Sequence, residues 1–294
     1  MPQRRFRSLS DDRLKLLLIA PTLALLLFIV IYPLIRSLVW SFTDYGIGSN
    51  AAVHYVGLRN YSKVLSDGNT WLRFQTTGKV VVLAVALEFL VGFGIALLLN
   101  RHMRGRGVIT TLILVPMMLC PAVVGMFWRY IFDANCGVAN GLLVIMGFER
   151  VEWLSKPGPA LVAALVVDVW MWSPFVMLIS LAGLSAIPKY LYEAAEVDRA
   201  SAWFKFRHIT LPLVAPLLLV ALLFRTVDTF KLFDMVWILT YEGEPLMISA
   251  QIYKDAFRAR DTAVACATAY IVLVIVIAVS NIFIRYLNRV QLKD

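Results

Sequence analysis

Apolar positions fall into six long blocks separated by shorter polar stretches: Leu14 to Trp40, Val80 to Leu99, Val108 to Phe132, Ala160 to Ala186, Leu211 to Thr240 and Thr262 to Leu287. Each block is about twenty residues or more, the length a helix needs to cross a hydrocarbon core of roughly 30 Å. The pattern predicts an all-α, polytopic membrane protein with six transmembrane helices. One transmembrane domain spans 14–290, with tails at 1–13 and 291–294.

Composition excludes the soluble alternative. Of the 294 residues, 60% are hydrophobic and 16% charged, with a mean hydropathy of +0.76; a soluble domain carries roughly 45–50% and 25%. The net charge of +9 would raise nucleic acid as a partner of a soluble chain, but in a membrane protein its placement matters more. Arg4, Arg5, Arg7 and Arg13 precede the first block as in a signal peptide, yet the block is too long and lacks a small-residue cleavage pattern. It is read as a retained first helix.

Lys and Arg are more numerous in the N-terminus, the second and fourth connections and the C-terminus than in the remaining connections. By the positive-inside rule both termini are expected in the cytoplasm. The outward connections, Phe42 to Lys79, Asp133 to Pro159 and Tyr241 to Asp261, are too short for independent domains. No phosphate-cradling loop is present, since Gly78-Lys79-Val80 lacks the upstream glycine and the hydroxyl residue. If ATP drives this protein, another chain binds it.

The fourth connection, 187–212, carries the strongest signal. Pro188 suits the first turn of a helix reaching about Asp198. A second short helix is expected from Ser201 to His208, with Pro212 limiting its extension into the next block. Ala194, Ala195, Ala200 and Ala202 permit close approach, and Glu193, Tyr190, Phe204 and Phe206 offer charged and aromatic handles. An interfacial amphipathic loop would have a similar composition.

The order of residues separates the two readings. Glu193-Ala194-Ala195 followed by Ile209-Thr210-Leu211-Pro212 resembles the EAA loop of inner-membrane permease subunits of binding-protein-dependent ABC importers. The resemblance extends to the carbohydrate-uptake branch through Tyr32-Pro33, Val56-Gly57-Leu58-Arg59-Asn60-Tyr61, Trp170 to Pro174, Phe230-Lys231-Leu232-Phe233-Asp234 and Trp237-Ile238-Leu239-Thr240. It implies the type I permease fold and a heterodimer with a second permease. It also implies two cytoplasmic ATPase subunits that bind ATP and magnesium, an extracytoplasmic solute-binding protein, and a carbohydrate as solute. Residues implied in coupling to the ATPase are Glu193, Ala194, Ala195, Asp198, Arg199, Phe204, Ile209, Leu211 and Pro212. Two departures stand out: Arg199 replaces the usual glycine between the short helices, and Tyr241-Glu242-Gly243-Glu244-Pro245 replaces a glycine-rich stretch. Either the turn at Arg199 differs or its side chain supplies an extra contact.

Glu88, Arg129, Asp168, Arg225, Asp228, Lys231 and Asp234 lie within or near apolar blocks, where a charge at the bilayer centre costs about 2.5–3.5 kcal/mol. Arg225, Asp228, Lys231 and Asp234 recur every three residues with alternating sign, so neighbours are expected to pair along one helix flank. That flank, with Thr229 and Phe233, is a candidate solute pathway; Asp168 with Trp172 and Trp128 with Arg129 are further candidates. Structural ion pairing and interfacial tryptophans are the competing readings. Gly92, Gly94 and Ala96 suggest close helix packing. Cys120, Cys136 and Cys266 imply no disulfide framework, and His54, His102 and His208 have no ligand spacing. No metal site and no catalytic chemistry are expected. The alternatives are an ion-gradient carrier using Asp168 and Asp228, an ABC permease for another solute, or a membrane scaffold recruiting an enzyme through the same loop.

Overall fold

The computed structural model describes residues 11–48, 52–101, 103–241 and 247–291. The N-terminal tail to residue 10, His102, the 242–245 stretch and the 292–294 tail lie outside the described residues. Among the described residues the regular elements are helices: α1 Asp11–Ser41, α2 Arg59–Ser66, α3 Gly68–Leu99, α4 Arg106–Leu114, α5 Pro121–Ile131, α6 Val138–Ile145, α7 Pro157–Ala186, α8 Lys189–Val197, α9 Ala202–Lys205, α10 Leu211–Phe230, α11 Asp234–Thr240, α12 Ile248–Tyr253 and α13 Thr262–Gln291. Among the described residues, five helices are long and apolar enough to cross a membrane: Leu18–Ser41, Gly68–Leu99, Pro157–Ala186, Ala202–Phe230 and Thr262–Arg289.

The third apolar block, expected as one helix, is divided. A short 3-10 turn at Pro116–Met118 follows α4, and Cys120 is extended (ψ 130°) before α5 opens at Pro121. Proline forces this: it lacks a donor for the helix ladder and pushes the preceding residue out of the helical region. The fifth block is also divided, ending at Phe230 and resuming at Asp234. Pro212, by contrast, does not separate the second short helix from the fifth block. A π-turn over Phe206–Thr210, closed by the Leu211 N–H on the Phe206 carbonyl, carries the helix through to α10. The proline is the second residue of α10, immediately after that turn.

Two compact units are distinguished. The first takes in the chain to Ser66 together with Ile252–Ile271. Its centre is Asn60, whose side-chain amide donates to the Ser41 and Thr43 carbonyls at 2.9 and 2.7 Å, satisfying backbone acceptors released where α1 ends. Tyr61 and Ser41 hydroxyls meet at 2.8 Å, and Gly57 takes a positive φ of 60° just before α2. The Val56 to Tyr61 motif therefore terminates the first helix. No residue in the most apolar stretch of α1 is buried within the chain, so its long apolar side chains need lipid or another protein around them.

The second unit takes in Asp67–Gln251 and the end of α13. Asp67 caps α3 by accepting from the backbone N–H groups of Asn69 and Thr70. α3, α5, α7 and α11 enclose one core built on Val80, Ala84, Val124, Val167, Met171, Met235 and Leu239. A second cluster, with Ala96, Met177, Leu184 and Val214, lies beneath the 187–212 connection. A Cβ on Gly92 would meet the Ser173 carbonyl oxygen at 2.5 Å, so α3 and α7 approach closely only because this residue is glycine. Gly94 has open space around it and takes no part in that approach.

Candidate functional site

Two regions carry the sequence-predicted site residues. The first is the 187–212 connection. α8 ends in a Schellman motif: the Ala200 N–H donates to the Ala195 carbonyl at 2.8 Å and the Arg199 N–H to the Glu196 carbonyl at 3.0 Å. Arg199 occupies the position beyond the cap with φ 53°, the left-handed region that glycine enters without strain. The turn is thus the one a glycine would make, which answers the question posed by the sequence. The Arg199 side chain is exposed and forms no ion pair among the described residues.

Ser201 then caps α9 by accepting from the Phe204 N–H at 3.1 Å. Two contacts tie α8 to the segment that follows it, and a third ties that segment to α3. Lys205 bonds Glu196 at 3.0 Å, the Tyr192 and Thr210 hydroxyls meet at 2.8 Å, and Phe206 packs on Phe93 of α3 at 6.2 Å between ring centres. Glu193, Ala194, Asp198, Arg199, Phe204, Leu211 and Pro212 remain exposed, whereas Ala195 is buried and Ile209 packs against the second core cluster. Tyr190, Val197, Trp203 and Phe204 are apolar or aromatic and stand 65%, 83%, 66% and 48% exposed. A rigid knob with such a surface is built to be covered.

The second region is a cleft of about 130 Å³ between α7, α10 and α11, lined by Asp168, Trp172, Arg225, Asp228, Thr229 and Phe233 among others. Trp128 does not line it; its ring stacks on Phe132 and meets Trp170 edge-on. The Arg129 guanidinium lies 4.7 Å from the centre of the Tyr241 ring.

Arg225 organises the cleft wall. Its Nε and Nη2 donate to the two oxygens of Glu88 on α3 at 2.6 and 2.7 Å. Nη2 also donates to Asp168 Oδ2 on α7 and to Thr229 Oγ1, both at 3.2 Å. The guanidinium lies 4.7 Å from the centre of the Trp172 ring. Glu88, Asp168 and Arg225 are all essentially buried, where a planar fork matched to a carboxylate recovers part of the desolvation cost.

The expected alternation of ion pairs along the fifth block therefore forms only in part. Lys231 and Asp228 pair at 3.5 Å, Arg225 turns to two other helices, and Asp234 opens α11 on the far side of the helix break. Glu88 was visible as a charge in an apolar block, but its partner lies 137 positions away and only the fold supplies it. The cysteines are free, and no cluster able to hold a metal occurs among the described residues.

The likenesses to known proteins agree. A family model described as binding-protein-dependent transport system inner membrane component matches residues 88–292. Trehalose/maltose transport system permease protein MalF of Thermococcus litoralis is 37% identical over 233 residues, 79% of either chain. Trehalose transport system permease protein SugA of Mycobacterium tuberculosis is 30% identical over 278 residues, 94% of this chain and 89% of that one. A solved bacterial ABC transporter involved in the import of the acidic polysaccharide alginate shares the fold, with a TM-score of 0.82 at 21% identity, over 95% of this chain and 96% of that one. The chain belongs to the inner-membrane components of binding-protein-dependent transport systems, the permease subunits of ABC importers, and is a multi-pass membrane protein.

Proposed function

We propose that this chain forms half of the translocation path of an ATP-driven importer for a sugar, oligosaccharide or polyol. The other half is a second permease. An extracytoplasmic binding protein delivers the solute, and two cytoplasmic ATPase subunits hold ATP and magnesium. Both termini and the 187–212 knob face the cytoplasm.

The observation that carries the reading is the rigid, aromatic-rich knob joined without interruption to a pathway helix. Ala202–Phe230 runs as a single span through the π-turn, so Phe204 and Arg225 sit on one rod about 30 Å apart at 1.5 Å per residue. An ATPase that grips Glu193, Ala194, Asp198, Arg199 and Phe204 would move Arg225, Asp228 and Thr229 as it closes. Trp172 and Phe233 add aromatic faces, and Asp168 and Thr229 add oxygens, the chemistry that a polyhydroxylated solute meets. The sugar names carried by the relatives support the solute class.

Uptake tests it. Proteoliposomes holding the whole importer and internal ATP, offered labelled solutes with the cognate binding protein, are expected to accumulate a carbohydrate. Accumulation confined to amino acids, peptides or inorganic anions would overturn the solute class, and uptake by the chain alone on an ion gradient would overturn the ATP-driven mechanism.

A further inference from the structure

The cleft beside Arg225 is acidic despite its arginine. Among the described residues lining it, Asp168, Asp228 and Asp234 face Arg225 and Lys231. Lys231 is engaged by Asp228. Arg225 is engaged twice, by Asp168 in the wall and by Glu88, which does not line the cleft and is completely buried behind it. One guanidinium thus serves two carboxylates. Asp168 is 1% exposed and lines the cleft, and its Oδ1 has no hydrogen-bond partner among the described residues. A buried carboxylate oxygen in this state can accept from a hydroxyl or another donor that enters the cleft.

We propose that this cleft selects its solute by charge, admitting neutral, hydroxyl-bearing or cationic solutes and rejecting anionic ones, with Glu88 as the residue that sets the selection by neutralising Arg225 from behind. The proposal rests on the permease reading and adds the charge class of the solute. The same fold serves a transporter described as importing an acidic polysaccharide, so architecture does not decide the sign. The local count of carboxylates against guanidinium does. An arginine beside a sugar path reads at first as an anion receptor, since its fork matches carboxylate and phosphate. Here the fork is filled by Glu88.

The potential can be read without knowing the solute. In the assembled importer, with Cys120, Cys136 and Cys266 replaced by serine, Phe233→Cys places a thiol in the cleft. Its reaction rates with a cationic and an anionic methanethiosulfonate of similar size are compared with those of free cysteine. The cationic reagent is expected to gain at least tenfold over the anionic one. Glu88→Gln and Asp168→Asn, each removing one charge while keeping an oxygen acceptor, are each expected to shrink that preference several-fold, and the double variant to reverse it. A rate ratio equal to that of free cysteine overturns the proposal, as does a ratio that neither substitution moves. A thiol that resists both reagents in resting and hydrolysing transporter also overturns it. Sugar-stimulated ATPase activity in the same preparation is a separate readout, so the charge selection can fail while the permease reading stands.

Discussion

Arg225 and Glu88 meet through two parallel hydrogen bonds of 2.6 and 2.7 Å, with both side chains almost wholly removed from solvent. The pair joins α10 to α3, and the 3.2 Å bond to Asp168 adds α7. Three helices that line or back the cleft are thus pinned at one guanidinium.

Removing one partner should cost much more than the pair contributes, because it strands a buried charge. Glu88→Ala is expected to destabilise the protein by about 3–5 kcal/mol, read as a lowered midpoint of thermal unfolding in detergent. Glu88→Gln, which keeps an acceptor for Arg225, should lose less. Equal losses in the two variants would show that shape rather than charge holds the helices there.

Arg199 makes the opposite case. A non-glycine residue in the left-handed region costs roughly 1–2 kcal/mol, so Arg199→Gly is expected to stabilise the chain by about 1 kcal/mol, measured as a raised unfolding midpoint. A lower midpoint would mean that the arginine side chain holds the turn in a way its exposed position does not reveal.

The close approach of α3 and α7 separates two glycines only two residues apart. Gly92→Ala drives a methyl into the Ser173 carbonyl and should cost about 1–3 kcal/mol by overpacking. Gly94→Ala meets nothing within 4 Å and should be neutral or gain up to about 1 kcal/mol from helix propensity. Comparable behaviour of the two variants, followed by thermal unfolding, would contradict the packing described.

Periodicity and length located the membrane helices, because a block of twenty apolar residues has little else to become in a protein this hydrophobic. The first helix of the knob was legible from Pro188, whereas the second, expected to stop before Pro212, runs on into α10. The breaks were harder. Pro116 and Pro121 divide a helix while Pro212 is absorbed at the start of one, and only the π-turn over Phe206–Thr210 distinguishes the cases. The ion pairs misled in another way. Spacing of three along one helix suggested local partners for Arg225, but its strongest partner is 137 positions distant, and sequence spacing within an element carries no information about pairing between elements. Asp168, Trp172, Arg225, Asp228, Thr229 and Phe233 do converge on one cleft. Trp128 does not, because its ring is committed to an aromatic cluster with Phe132 and Trp170.

The most direct measurement of the coupling role is ATP hydrolysis and sugar uptake by the reconstituted importer carrying Glu193→Ala. Glu193 is exposed on α8, so its loss should leave insertion and folding intact. The expected result is uptake reduced at least tenfold, with ATPase activity that no longer responds to the loaded binding protein. Wild-type uptake with normally stimulated hydrolysis would contradict the knob's role as the grip through which the ATPases move the pathway.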